Sequence, residues 1–162
     1  MKNKLLIIVP VVLVLLIGLW SSFSYDRANV SDLLERALPH RPGYTLLDNI
    51  SFTWAGTKVS IYDMGYYRFL DWMIRKITFF LLFGVFGLFL FLNFRRIKEF
   101  SEFAAAFYAI FATAVYSNLD EIHQHFVDGR DMSLTDTVLK STGALLFITI
   151  AFLVLRKRRL QM

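Results

Sequence analysis

The stretch Ile77-Thr-Phe-Phe-Leu-Leu-Phe-Gly-Val-Phe-Gly-Leu-Phe-Leu-Phe-Leu92 carries no charge and is dominated by Phe79, Phe80, Phe83, Phe86, Phe89 and Phe91. Extended to residues 77–94, it is long enough to cross most of a hydrocarbon core of about 30 Å, at about 1.5 Å per helical residue. Three other stretches behave alike. Leu5 to Trp20 is uncharged, and Pro10 is expected to kink it. Phe103 to Val115 is apolar but too short to span, so it must continue through Tyr116, Ser117, Asn118 and Asp120. Ala144 to Leu155 must likewise extend backwards, through Ser141, Lys140 and Asp136. These runs predict an all-α integral membrane protein: a four-transmembrane-helix bundle with spans near 5–20, 77–94, 103–124 and 135–155, forming one domain over 1–162.

The composition agrees. Of 162 residues, 56% are hydrophobic and 19% charged, too apolar for a soluble domain and for a multilayer soluble enzyme. The absence of cysteine excludes disulfides, thiolate metal sites and a cysteine nucleophile. The net charge of +5 does not point to nucleic acid, because Lys and Arg gather at the ends of apolar runs rather than on a basic face. Lys2 and Lys4, then Arg95, Arg96 and Lys98, then Arg156, Lys157, Arg158 and Arg159 fall on one side, against Arg130 and Lys140 in the short opposite connection. The positive-inside rule therefore puts both termini in the cytoplasm. Ser22 and Ser24 give a small-x-small pattern that would also suit a cleaved signal peptide. Trp20 favours a retained anchor, being at home at a membrane interface and poor before a cleavage site.

Residues 21–76 are expected outside, as an extracellular insert with structure of its own. Asn29 and Asp32 can cap a short helix through Leu38, with Val30, Leu33, Leu34, Ala37 and Leu38 on one face. Pro39 and Pro42 end it. Ile50, Phe52 and Trp54 alternate with polar residues, Ala55-Gly56-Thr57 can turn, and Val59 and Ile61 alternate again, which predicts a β-hairpin. Such a hairpin needs the bundle or the lipid surface to lie against.

The candidate chemistry lies in Tyr116-Ser-Asn-Leu-Asp-Glu-Ile-His-Gln-His125 and the residues after it. Helical spacing puts Tyr116, Asp120, His123 and Gln124 on one stripe and Glu121 with His125 on another. Ala105, Ala109, Thr113 and Ser117 form a small-residue ridge leading to Glu121, which should face a neighbouring helix. Ser133 with Asp136 reads as a capping box, and Asp136 can pair with Lys140. Ionisable groups within a span are expensive, so Asp120, Glu121 and His123 mark a site rather than a headgroup edge, where Asp128 and Asp131 belong. Arg75 and Lys76 open the second span, as snorkelling anchors or as anion ligands.

Asp120-Glu121-Ile122-His123-Gln124, followed by Phe126, Gly129-Arg130, Ser133, Asp136 and Gly143, resembles the signature of the VanZ-like family of small membrane proteins. Ile50 to Ile61 and Asp71 to Lys76 are similar to that family's outer hairpin and the start of its second span. The resemblance implies a four-span bundle in the bacterial cell membrane and a link to the cell envelope, the family's name coming from resistance to the glycopeptide teicoplanin. The sequence departs from the family pattern where a His and a Glu-Tyr pair would stand, at Phe79, Leu82 and Phe83. It departs again at Asp128, in place of a proline, and at Lys140, in place of an asparagine.

Three readings stay open. In the first, Arg75, Lys76, Gln124, Arg130 and Asp136 bind an anionic lipid, lipid-linked precursor or glycopeptide, through guanidinium forks and without a nucleophile. In the second, a membrane enzyme acts on a lipid-linked precursor, with His123 as acid or base, Asp120 orienting it and Glu121 as second carboxylate. In the third, the polar stripe is interhelical glue. No cofactor is expected. Asp120 with His123, or Glu121 with His125, supplies only two metal ligands, one short of a catalytic zinc set.

Overall fold

The computed structural model describes residues 2–24 and 30–160. In chain order the elements are α1 (Lys2–Ser21), α2 (Ser31–Ala37), α3 (Tyr44–Leu47), β1 (Ser51–Trp54), β2 (Thr57–Ser60), α4 (Ile61–Met64), α5 (Tyr66–Phe94), α6 (Glu102–His125) and α7 (Leu134–Leu160). Helices α5, α6 and α7 pack on one another, and α1 lies along α5 and α6. Among the described residues, three helices are long and apolar enough to cross a membrane, over Lys4–Ser21, Tyr66–Phe94 and Leu134–Lys157.

Small residues set the spacing of the bundle. A Cβ added at Gly87 of α5 would lie 2.7 Å from the Ala144 Cβ, and one at Gly143 of α7 would collide with the Phe80 carbonyl oxygen. The predicted ridge of Ala105, Ala109, Thr113 and Ser117 is fully buried, and Ser117 Oγ donates to the Thr137 carbonyl of α7 at 3.4 Å. Ala105 and Ala109 join Phe91, Ala144 and Ile148 in one apolar core, and Ile17, Phe79 and Phe83 form a second beside α1.

α1 runs through Pro10 without interruption. Proline has no N–H to give the Leu6 carbonyl one turn back, and in an apolar environment that acceptor needs another donor. Asn93 Nδ2 of α5 supplies it, at 2.6 Å. Tyr116 of α6 adds a second tie, its hydroxyl donating to the Val14 carbonyl at 3.0 Å.

The second long helix begins at Tyr66, well before Ile77, so Arg75 and Lys76 sit inside it rather than at its opening. Its first turns are amphipathic and are buried by the hairpin: Tyr66 and Phe69 pack with Val59 and Ile61. The hairpin is antiparallel with Trp54 opposite Thr57. Its two-residue turn has positive φ at Ala55 (48°) and Gly56 (82°), the type I′ signature that matches strand twist. Ile61 does not continue the strand. It opens α4, where Ser60 Oγ accepts from the Tyr62 and Asp63 amides.

The short helix α2 ends at Ala37 and fully buries none of its residues: Leu33 is 66% exposed, while Val30, Leu34 and Leu38 are half-buried where the helix lies along α5, so its expected apolar face is only partly covered by the described residues. The Val30 amide, just before it, donates to Asp71 Oδ1 at 3.0 Å. The predicted Asn29 cap lies outside the described residues.

Candidate functional site

At the C-terminal end of α6, Ser117, Asp120, Glu121 and Gln124 share the inward face, since steps of three and four residues stay on one side of a helix. All are buried, Asp120 to 5% and Glu121 to 2% relative exposure, and Lys140 of α7 meets them at 1%. Lys140 Nζ donates to Asp120 Oδ2 and to Glu121 Oε1, each at 2.5 Å. The remaining acceptors are also used. Asp120 takes hydrogen bonds from Ser21 Oγ of α1 (2.5 Å) and Gln124 Nε2 (2.8 Å), and Glu121 Oε2 takes one from the Ser133 amide (2.8 Å). The Lys140 ammonium also lies over the Phe79 and Phe83 rings, 4.8 and 5.3 Å from their centroids. A buried cation thus holds two buried carboxylates, with hydrogen bonds completing the shell as such a group requires.

The expected Asp136–Lys140 pair does not form. Lys140 is one turn further along α7, within reach of two carboxylates, while Asp136 faces Lys76 of α5 (2.5 Å) and accepts from Trp54 Nε1 of the hairpin (3.1 Å). Half of the expected capping box is present. Ser133 Oγ accepts from the Asp136 amide at 3.3 Å, but the Asp136 carboxylate is engaged by Lys76 and Trp54, and the Ser133 amide goes to Glu121. Arg75 pairs with Asp71, four residues back on the same helix.

Arg130, in the connection between α6 and α7, completes the arrangement. Its Nη1 donates to Gln124 Oε1 at 3.0 Å, which links it through Gln124 to Asp120. Its Nε and Nη2 are buried and have no hydrogen-bond partner among the described residues. Those two nitrogens form the side edge of the guanidinium, the fork that matches two oxygens of a carboxylate or phosphate. Burial pushes the Arg130 pKa below its ordinary value, the neighbouring Arg75 charge pushes the same way, and Asp120 and Glu121 offset part of this. Arg130, Arg75, Lys76 and Lys140 line a cavity of about 330 Å³ walled by Trp54 and Trp72.

His123 does not join this cavity. Its Nε2 is 3.0 Å from Ser22 Oγ, which also contacts the Gly18 carbonyl at 2.6 Å. The pair closes one end of a separate, mostly apolar groove between α1 and α6, lined by Leu15, Leu19, Tyr116 and Leu119. Asp120 borders this groove too, but it bonds to Ser21, Gln124 and Lys140. The structure therefore brings together Arg75, Lys76, Asp120, Glu121, Gln124, Arg130 and Asp136, and leaves His123 on the far side of Asp120.

Residues that sequence reasoning missed are Ser21, Asp71, Trp54 and Trp72, together with the central role of Lys140. Asp71 carried a usable signal, four positions before Arg75. A lysine one turn inside an apolar span carried another, since such a charge needs a partner in the bundle.

The VanZ/LLP1 family pattern matches residues 6–155, nearly the whole chain. The chain belongs to the VanZ/LLP1 family. Its apolar helices fit a membrane protein of the VanZ type. No curated protein and no solved structure matches it. In this VanZ/LLP1 protein three of the departures noted in the sequence, Phe79, Phe83 and Lys140, lie in mutual contact. They act as one change of environment rather than three scattered ones.

Proposed function

We propose that α6 is the fourth membrane span and that both termini are cytoplasmic. The lipid-facing surface of a span must be apolar, whatever its interior holds. Along α6 and the residue after it, Phe103, Phe107, Phe111, Val115, Leu119, Ile122 and Phe126 are all exposed. They form one continuous stripe about 35 Å long, at about 1.5 Å per residue, and the charged residues of the same segment point inward. Mean hydropathy misses such a helix because it averages the two faces. The nine Lys and Arg residues on the inner flanks support the orientation, and it leaves the hairpin and Arg130 outside.

We further propose that the cavity binds the anionic group of a membrane amphiphile, a phosphate or carboxylate, and that this protein thereby alters sensitivity to teicoplanin-type envelope inhibitors. The observation that carries the reading is the Arg130 side edge, buried and without partners beside a second guanidinium. Buried polar groups are nearly always satisfied, and an anion is the group that satisfies this one while offsetting the repulsion from Arg75. A cavity near the lower end of the usual range of roughly 300–1,000 Å³ suits a head group rather than a whole glycopeptide, so an effect on resistance would act through the envelope lipid or precursor.

The test is titration of purified protein with short-chain phosphatidylglycerol, read by tryptophan fluorescence, since Trp54 and Trp72 wall the cavity. Arg130→Ala should weaken binding by on the order of tenfold or more, as expected for the loss of charge-assisted hydrogen bonds, and Arg130→Lys should restore part of it. In cells, inhibitory concentrations of teicoplanin should follow the same order. Unchanged binding in Arg130→Ala would remove the basis of the reading.

A further inference from the structure

The charges around the cavity do not leave a purely cationic site. Lys76 is paired with Asp136, Lys140 with Asp120 and Glu121, and Arg75 with Asp71. Two charged side chains of the lining remain outside any ion pair among the described residues: Arg130, and its neighbour Asp131, which is exposed at the rim. One unmatched cation and one unmatched anion therefore stand next to each other in sequence, on a connection where Gly129 (φ 74°) turns the chain. They do not neutralise each other, because the Arg130 guanidinium is turned inward and held by Gln124.

We propose that the preferred head group is a zwitterion, a phosphate diester joined by a short bridge to a primary ammonium, as in an ethanolamine phospholipid. The inference rests on the anion-binding reading above and adds the second charge to it. The phosphate oxygens take the Arg130 fork. The ammonium takes the Asp131 carboxylate, an acceptor with no other partner among the described residues. A phosphate monoester or diphosphate fits less well, since its extra negative charge meets Asp131 with no further unpaired cation to balance it. Trp54 and Trp72, already flanking the Lys76 ammonium at 5.5 and 5.4 Å, give the adjoining wall an aromatic character that tolerates both a cation and the glycerol end of a lipid.

The experiment compares dihexanoyl phosphatidylethanolamine, phosphatidylglycerol and phosphatidic acid, with soluble glycerophosphoethanolamine, the same phosphate diester without acyl chains, as the control, on the full-length protein in detergent. Tryptophan fluorescence reads wild type, Asp131→Asn and Arg130→Ala. The ethanolamine lipid should bind about tenfold more tightly than phosphatidylglycerol, the scale of one charge-assisted hydrogen bond. Asp131→Asn should erase that preference and leave phosphatidylglycerol affinity unchanged or raised. If glycerophosphoethanolamine alone binds as tightly as the lipid, the ligand is a free zwitterion rather than a membrane lipid, and the lipid assignment falls. If phosphatidylglycerol or phosphatidic acid binds as well as the ethanolamine lipid in wild type, through Arg130, the zwitterion is wrong and the anion site stands. If none of the four binds, both fail. Asp131 is an exposed connection residue, so its substitution leaves the bundle intact.

Discussion

Replacing Lys140 by Met tests the ion cluster directly, because the side chain is 1% exposed and its ammonium is the only cation among the described residues bonded to Asp120 and Glu121. Lys140→Met leaves two carboxylates side by side. Asp120 keeps Ser21 and Gln124, and Glu121 keeps the Ser133 amide, but no cation bonds to either among the described residues, and Arg130 acts on them only at longer range. Breaking a buried pair by removing one partner destabilises by about 3–5 kcal/mol. The escape route is to place a proton on one carboxyl at neutral pH, which costs an ordinary carboxyl about 4 kcal/mol, so it gives no relief beyond that scale. For a protein of this size about 1 kcal/mol moves Tm by roughly 2–4 °C, which predicts a fall on the order of 6–20 °C in detergent, followed by tryptophan fluorescence or differential scanning. The triple change Asp120→Asn, Glu121→Gln, Lys140→Met removes all three charges and should return most of the loss, since neutral replacements of a buried ion cluster are often tolerated. A fall of less than about 2 °C for the single change, or a triple variant as unstable as the single one, would refute the cluster as the cause.

Gly143→Ala puts a Cβ against the Phe80 carbonyl and should force α5 and α7 apart, whereas Gly18→Ala meets nothing within 4 Å; size-exclusion profiles and melting should show the first destabilised and the second unchanged or slightly stabilised. Single cysteines are informative because the chain has none. In intact cells a membrane-impermeant maleimide should label Thr57→Cys and Asp128→Cys but reach Lys98→Cys only after lysis, and the reverse pattern would invert the topology. Tyr116→Phe removes the hydroxyl that holds α1 at the Val14 carbonyl and should lower Tm by a few degrees, on the scale of about 1 kcal/mol for one hydrogen bond; no change would mean that apolar packing alone seats α1.

What the sequence could and could not disclose follows from which interactions are local. Apolar run length is a local property, and it located all four long helices. It placed the start of α5 too late because residues 66–76 are half polar and become a buried helix only where the hairpin covers Tyr66 and Phe69. The α6 ridge of Ala105, Ala109, Thr113 and Ser117 was legible from its four-residue period, and with it the inward direction of Glu121. Pairing was not legible. Lys140 and Asp136 lie four apart on one helix, the spacing that favours a local pair, yet each bonds to a residue from a different helix. In a low-dielectric interior the nearest correctly aimed charge decides, and that depends on the depth of each residue in the bundle. His123 shows the same limit from the other side. Three residues after Asp120, it shares a stripe with it on paper, but the helix turns its ring outward to Ser22. The cavity and its ion cluster thus combine cations, and in Asp71 one partner at local helical spacing, that helix periodicity could nominate with partners, Ser21 and Trp54, that only the packing of α1 and the hairpin could supply. Arg130, carried on a connection and free of helical registry, is the one side chain among the described residues that retains two buried, unsatisfied donors, and this leaves it able to take an anion.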